Sequence, residues 1–565
     1  MVEKQGTAGA GFDPAHPYPQ RAGIIDTLDS IVVAFILAFV FRAFVVEAFV
    51  IPTGSMAPTL YGAHGMIACP KCGTEFAYGL QDRAAKGGVP VGANDEAICP
   101  NCDHVIATLS QNDYAGNADA GDRILVLKWP YDAQLERLGP QRWDVTVFKN
   151  PSDGNMNYIK RLAGLPNEVL MIVDGDVYTA PVETLSAGAR AAFEAQLKDK
   201  YELQAGLRYG VLQPLPEGVL AELDGKLRIT RKTPVAQKSL WFVVYDHNYL
   251  PRAAGDLQPR WEAQRGADSR WDTRQRRVRF DGRGGATEYI ELRDKAMDAR
   301  CAYNIRSGSA PPVSDQRVRF VLLPVDGEGV VRLRLEKRGR VFWATLHMSG
   351  LVTLCESAEV PAETVEPPLV RQLAPFRAGR PVEIAFENVD YRVALAVRGQ
   401  EVLATSSEAE APGYYAPDVR ALRQGRLAPA VTPRIYAEGG VFELMHLVVE
   451  RDVYYYWERG ATIPDTWART GPWGGTGNPI LLRADEYFML GDNTAASQDS
   501  RLWFQVGAHL VDRREAYQLG TVPRDQLIGK AFFVYWPSGH RLSWLPPPLR
   551  NVGFIPDVGR MRWIR

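Results

Sequence analysis

The chain has 565 residues, more than one hydrophobic core ordinarily serves, so two or more domains are expected. Its 65 basic and 66 acidic side chains leave a net charge of −1, which gives no electrostatic case for nucleic acid as a partner.

Residues 1–23 read as a tail containing Glu3, Asp13 and several prolines. The segment that follows, IIDTLDSIVVAFILAFVFRAFVVEAFVI, has its uninterrupted apolar stretch at 31–41. A bilayer-crossing helix needs about 20 mostly apolar residues. That length is reached here only with Asp26, Asp29 and Arg42 near the ends, from where long side chains can reach the interface. A transmembrane anchor is therefore expected over 24–50. A cleaved signal peptide and a buried core helix are the alternatives, although the tail, with Glu3 and Asp13 beside only Lys4 and Arg21, is a poor positively charged leader. The same charges do not orient the helix by the positive-inside rule.

Four of the six cysteines form CPKC (Cys69, Cys72) and CPNC (Cys99, Cys102). Two such pairs match a zinc ribbon, here expected at 65–110, in which four thiolates surround one structural ion. Two disulfides are the alternative in an oxidising space. Cys301 and Cys355 lack a neighbouring His or second Cys and read as small buried apolar residues or as one disulfide.

Strand patterns occupy GDRILVLKW (121–129), RWDVTVFKN (142–150) and NYIKRLAGLPNEVLMIVDGDVYTA (157–180), each closed by turn-forming residues. Residues 181–206 carry helix formers without interior proline. From about 211 to 456 long alternating strands dominate. In VVRLRLEKRGRVFWATLH, Val331, Leu333 and Leu335 face one side, with a hairpin turn at 337–339 and another at 398–400. This predicts a β-sandwich insertion over 210–457, with a diffuse similarity to concanavalin-like domains. Residues 466–479 read as a Gly-, Pro- and Trp-rich connector, and LIGKAFFVYWP as a last strand, with no second apolar span.

IPTGSMAPTL, residues 51–60, centres on Ser55, a hydroxyl that needs a base to become a nucleophile. None of the eight histidines lies in a triad motif, and no Gly-x-Ser-x-Gly elbow is present. A lysine serves as base only when neutral, which burial promotes. Lys160 lies on an apolar strand beside Ile159, with Arg161 on the opposite face, although a lone strand lysine is more often solvated.

The order of segments decides between these readings. An apolar anchor, FVIPTGSMAPTL, GDRILV, RWDVTVFKNP, YIKRLAGLPNE, GDNTAASQDSRLW and IGKAFFVYWP together resemble the type I signal peptidases, membrane-anchored serine proteases of the Ser-Lys dyad class. The resemblance covers about a third of the chain and implies a discontinuous catalytic core at 51–180 and 480–565.

It implies Ser55 as nucleophile and Lys160 as general base, with an oxyanion hole from the Thr53 hydroxyl and the Ser55 N–H. Ser497 would orient the lysine. Asp499 and Arg501 would form a bracing pair, and Gly491, Asp492 and Asn493 the entry turn. Tyr158, Ile159 and Met56 would help wall pockets for small residues before the cut. Thr494 stands where the family usually has a basic residue, and Ala495 and Ala496 where it has an Asp/Asn pair.

The expected fold is thus mainly β: a transmembrane helix, a signal-peptidase-like core, an inserted zinc ribbon and an inserted concanavalin-like sandwich. The implied activity is removal of signal peptides from exported preproteins on the extracytoplasmic side of a cell membrane, with the bilayer and export machinery as partners and no nucleic acid. No cofactor is expected for catalysis, and a structural zinc is expected at Cys69, Cys72, Cys99 and Cys102. The sandwich reads as a spacer or protein-contact domain. One rival, a self-cleaving repressor of the same chemistry, would require a DNA-binding module and a cleavable linker, where residues 1–50 offer a membrane helix instead. Another, a decayed membrane-tethered ribbon and sandwich binding protein, does not account for Ser55, Lys160, Ser497 and Asp499 occurring together.

Overall fold

A computed structural model describes residues 22–79, 97–106, 121–132, 138–204, 210–251, 260–303 and 310–564, less 284, 286, 294–296, 362–368, 407–414, 416, 427, 429, 430, 458–463, 468, 514–516, 539–545 and 547–555. Residues 1–21 of the expected tail, and parts of the expected ribbon and of the 466–479 connector, lie outside these.

The first element is an α-helix, Ala22–Phe44. Its described apolar side chains, from Leu28 through Ile31, Phe35, Phe39 and Phe44, are all exposed, because apolar residues occur on every face and no other described element covers them. Among the described residues, no helix is long and apolar enough to cross a membrane. The expected anchor at 24–50 needs correction at its end. The chain leaves the helix at Phe44, and Val46–Val50 pair antiparallel with Arg123–Leu127. Val46, Phe49 and Val50 suit a strand, and the ladder satisfies their backbone groups.

That pair opens a sheet whose order continues through Leu527–Trp536, Val145–Asn150, Asp153–Gly164, Glu486–Leu490 and Val522–Pro523, with Arg562–Trp563 beside Leu527–Trp536. Strand Asp153–Gly164 starts exposed and ends with six buried residues, so Lys160 and Arg161 are carried inside on opposite faces of one strand. A second, four-stranded sheet joins Arg228–Ile229, Asp176–Pro181, Glu168–Val173 and Ile480–Leu481. The expected helix at 181–206 forms over Ala187–Gln204. A further helix, Glu217–Lys226, lies where strands were expected to begin, and its Leu220 and Leu223 are buried.

Two antiparallel sheets of eight and seven strands, counted among the described residues, run between Phe242 and Arg451. They share one apolar core, with Phe320, Leu322, Ile384 and Phe386 on one sheet and Leu333, Leu335, Phe342 and Leu346 on the other. The hairpin turns at Arg338–Gly339 and Arg398–Gly399 have positive φ at both positions, the geometry that matches strand twist. The mainly β expectation agrees with this arrangement.

The sheets are joined to the smaller core sheet by buried charge. Lys337 Nζ, 3.1 Å from Asp176, also reaches Asp315, and Lys232 Nζ, 2.8 Å from Asp452, also reaches Asp390. The 466–479 segment is more than a connector. Trp467 and Trp473 are buried 4.8 Å apart, and Trp473 Nε1 donates to the Trp503 carbonyl, because indoles gain more from packing than a solvent-exposed linker would allow.

Lys200 is buried above the Trp473 ring, and desolvation, opposed by Glu486, lowers its pKa to about 7. Between that value and the ordinary lysine range near 10.4, the unfolded chain binds a proton the folded chain lacks, so stability rises with pH. Thermal melts from pH 7 to 10 should show this rise. Lys200→Met should reduce it and raise the melting temperature at pH 7.

Candidate active site

Ser55 lies in a single helical turn, Gly54–Met56, and Lys160 lies 105 residues later on its sheet strand. The fold brings Lys160 Nζ within 2.6 Å of Ser55 Oγ and 3.1 Å of the Ile159 carbonyl. Both side chains are buried, at 7% and 3% exposure, so the pair is shielded from bulk water. The Tyr158 ring stands 5.1 Å from the lysine nitrogen. A serine hydroxyl this close to a buried amine can transfer its proton directly, the geometric requirement for a serine nucleophile with a lysine base.

The turn is held by the Gly-Asp-Asn segment. Asn493 N–H donates to the Ser55 carbonyl at 3.1 Å, and its side-chain Nδ2 donates to the Gly54 carbonyl, also at 3.1 Å. Gly491 is required here, because a Cβ would stand 2.7 Å from the Ser55 carbonyl oxygen and 2.1 Å from Ser497 Oγ. Its N–H donates to Asp499, which pairs with Arg501 at 2.6 Å in fully buried surroundings. Arg501 also donates to the carbonyls of Tyr456 and Thr494.

Arg161 and Asp492 form a second buried pair, with guanidinium-to-carboxylate distances of 2.8 and 2.7 Å. Burial opposes the arginine charge, but the Asp492 carboxylate holds its pKa above the ordinary value. The Thr59 hydroxyl donates to Asp492 at 2.5 Å, and Arg161 Nη2 reaches Ser239 Oγ at 3.3 Å. One ion pair thus links the lysine strand, the Gly-Asp-Asn turn and the segment after Ser55.

Several expected roles are not made as anticipated. Ser497 Oγ is buried against Gly491 without a hydrogen-bond partner, so the expected bond to Lys160 is absent while the lysine points to Ser55. Met56 is fully buried and Ile159 is 9% exposed, both within an apolar cluster, so neither presents an open pocket wall; Tyr158 is half-buried beside Trp503. Thr53 is extended and half-buried immediately before the turn. Thr494 Oγ1 donates to the Tyr454 carbonyl, and Ala495 and Ala496 pack near Cys301 and Tyr303. The sequence reading missed the parts of Arg161, Thr59 and Ser239. A charged residue on each face of an otherwise apolar strand was the available signal for Arg161.

The four cysteines Cys69, Cys72, Cys99 and Cys102 converge at the turns of two small hairpins, His64–Ala68 with Glu75–Gly79 and Ala97–Ile98 with Val105–Ile106. All are free thiols. Their sulfurs lie within 4.8 Å of one another, and the separations Cys69 to Cys102 and Cys72 to Cys99 are both 3.6 Å. Four thiolates about 2.3 Å from a tetrahedral zinc stand about 3.8 Å apart, so the donor set fits that ion. Cys301 and Cys355 are also free thiols, which excludes a disulfide between them.

The β core thus buries a serine hydroxyl against a lysine amine. Residues 108–231 and 452–536 match the model of the family "Signal peptidase, peptidase S26". The chain is 50% identical over 60 residues to a signal peptidase I of Pseudomonas fluorescens, covering 9% of this chain and 21% of that protein. It is 26% identical over 184 residues to a signal peptidase I of Rickettsia bellii (strain OSU 85-389), covering 32% and 49%. Over these segments the chain is similar to type I signal peptidases. It spans less than half the length of the curated relatives it matches.

Among solved structures, the carbohydrate-binding module CBM66 of Bacillus subtilis is similar at TM-score 0.22 and 10% identity, over 34% of this chain and 95% of that one. The VIP36 exoplasmic/lumenal domain in its Ca2+/Man2-bound form is similar at TM-score 0.25 and 8% identity, over 38% and 89%. These similarities are too low to define a shared fold.

Replacing Asp492 with Ala would leave the Arg161 guanidinium buried without its carboxylate. The expected cost is about 3–5 kcal/mol of stability, read by denaturant unfolding of Asp492→Ala against wild type. A change within about 0.5 kcal/mol would show that the pair does not hold the site together.

Proposed function

We propose that the chain is a membrane-bound serine endopeptidase that removes signal peptides from exported preproteins. The observation that carries this reading is the 2.6 Å approach of Lys160 Nζ to Ser55 Oγ in buried surroundings. Burial disfavours the charged ammonium, so the neutral amine accepts the Ser55 proton as Oγ attacks the scissile carbonyl carbon. The oxyanion is met by the Ser55 N–H and the Thr53 hydroxyl, donors that act where charge develops. Collapse passes the proton from Lys160 to the leaving amine and leaves an ester on Ser55. Lys160 then takes a proton from water as the water oxygen attacks the ester; collapse returns that proton from Lys160 to Ser55 Oγ, and the signal peptide leaves as a carboxylic acid that ionises to solvent.

Asn493 and Gly491 position the serine turn, while Asp499, Arg501, Arg161 and Asp492 brace it. Helix Ala22–Phe44 holds the chain at the bilayer surface or within it: its described apolar side chains are exposed, an arrangement that lipid stabilises and water does not. The catalytic core faces the extracytoplasmic side, where signal peptides are released. Cys69, Cys72, Cys99 and Cys102 hold a structural zinc, closed to catalysis because four thiolates leave no open position. The decayed binding protein is disfavoured by the intact serine and lysine geometry.

With detergent-solubilised protein and a preprotein whose signal ends in Ala-x-Ala, Ser55→Ala and Lys160→Ala should each lower cleavage by at least about 1,000-fold. Cleavage by either variant at the wild-type rate would refute the dyad. Metal analysis should find one zinc per chain, and chelation should lower the melting temperature. Four titratable thiols in metal-free protein of unchanged stability would refute the zinc site.

A further inference from the structure

The inserted β domain meets the serine turn at the segment Cys301–Tyr303. Tyr303 is 3% exposed, and its ring lies directly on Gly54, where a Cβ would fall 1.8 Å from ring atom Cε2. Its hydroxyl accepts a hydrogen bond from Gly62 N–H at 2.9 Å. Burial raises the phenol's pKa, so this oxygen is a neutral acceptor. The Tyr61 ring stacks with it, 6.1 Å away and 12° from parallel.

The Gly62 contact continues to Thr53. A Cβ on Gly62 would lie 2.2 Å from the Thr53 carbonyl carbon, so these two backbones touch. Tyr303 therefore grips the start of the turn at two points, its ring against Gly54 and its hydroxyl on the residue that supports Thr53. One residue earlier, Ala302 N–H donates to Asn493 Oδ1 at 3.0 Å, orienting the side chain whose Nδ2 holds the Gly54 carbonyl. Two neighbouring residues of the insert thus act on the serine turn by separate routes.

The segment is fixed from behind. Tyr456 Oη donates to the Ala299 carbonyl at 3.0 Å, and Arg451 Nη2 to the Arg300 carbonyl at 2.8 Å. Arg300 forms an ion pair with Asp103, the residue after Cys102. Asn101 accepts from Asp246 N–H at 2.6 Å and donates to the Tyr249 carbonyl at 3.0 Å, which bolts the cysteine hairpins to the insert. Ala77 of the first hairpin packs with Ala57, Cys301 and Tyr303, and Ala495 and Ala496 complete that cluster. Larger side chains at 495 and 496 would crowd the segment, which gives a physical reason for their departure from the family pattern.

We infer that Tyr303 is a positioning residue for catalysis, supplied by the inserted domain, that sets the geometry of Ser55 and of the Thr53 oxyanion donor. This rests on the reading of Ser55 and Lys160 as the catalytic pair. The insert is then part of the catalytic apparatus, and the cysteine hairpins support it through Asp103 and Arg300.

The test compares full-length wild type, Tyr303→Phe, Tyr303→Ala and Ser55→Ala on one preprotein, measuring kcat, KM, the pH profile of kcat/KM and the melting temperature. Tyr303→Phe keeps the ring but leaves Gly62 N–H without its acceptor, and kcat should fall roughly tenfold. Tyr303→Ala removes both contacts, and kcat should fall roughly a hundredfold. KM and the pH of the acidic limb should stay within about twofold and about 0.3 units, because the substrate-binding surface and the base are unchanged.

Wild-type kcat in both folded variants, with Ser55→Ala inactive, would overturn the positioning role and leave the dyad standing. An active Ser55→Ala would overturn the dyad itself. If Tyr303→Ala fails to fold, Tyr303→Phe decides alone: a wild-type kcat overturns the inference, and a lowered kcat at unchanged melting temperature supports it.

Discussion

The structure of the site depends on an ion pair taken wholly out of water. Arg161 and Asp492 are both completely buried, a costly arrangement unless nearly every hydrogen bond is made. Here the bonds are made by groups from four places in the chain: the Trp143 carbonyl, the Thr59 hydroxyl, the Ser239 hydroxyl and the Asp492 carboxylate. Because Arg161 follows Lys160 and Asp492 precedes Asn493, the pair fixes the strand carrying the proposed base relative to the turn that holds Ser55. Loss of either charge strands the other in a dry site, so the arrangement is rigid for the same reason that it is expensive.

Around this centre the inserts are integrated with the core and do not hang from it as appendages. The lysines at 232 and 337 each face two aspartates at the junction of the small core sheet with the two large sheets. Such a buried network tolerates little displacement, since an unpaired charge would be left behind. The cysteine hairpins press on the same insert through Asn101 and Asp103. A domain fixed at both contacts can present Ala302 and Tyr303 to the serine turn with the precision that a positioning role requires.

Much of this was legible in the sequence, and the failures have identifiable causes. Alternation in 330–347 and 381–404 gave the strands and both hairpins, because one face of each sheet is apolar and the turns fall where backbone φ is positive. The spelling around Ser55, Lys160 and Asp499 indicated which distant residues would meet, which no local pattern could do. The end of the first helix was misplaced since Val46, Ala48, Phe49 and Val50 suit either state, and only the partner strand makes the segment extended. Trp473 was taken for a linker residue because burial beside Trp503 is a tertiary fact. The contribution of Tyr303 was not legible at all, because 248 positions separate it from Ser55 and nothing in its neighbours marks it.

The central claim is that Ser55 is the nucleophile and that Lys160 activates it. Intact-protein and peptide mass spectrometry after exposure to a slowly hydrolysed ester or a serine-acylating electrophile tests this directly. The account predicts one acyl adduct, mapped to Ser55, whose formation slows by orders of magnitude in Lys160→Ala. An adduct on a different residue, or one that forms on Ser55 equally fast without Lys160, would contradict it.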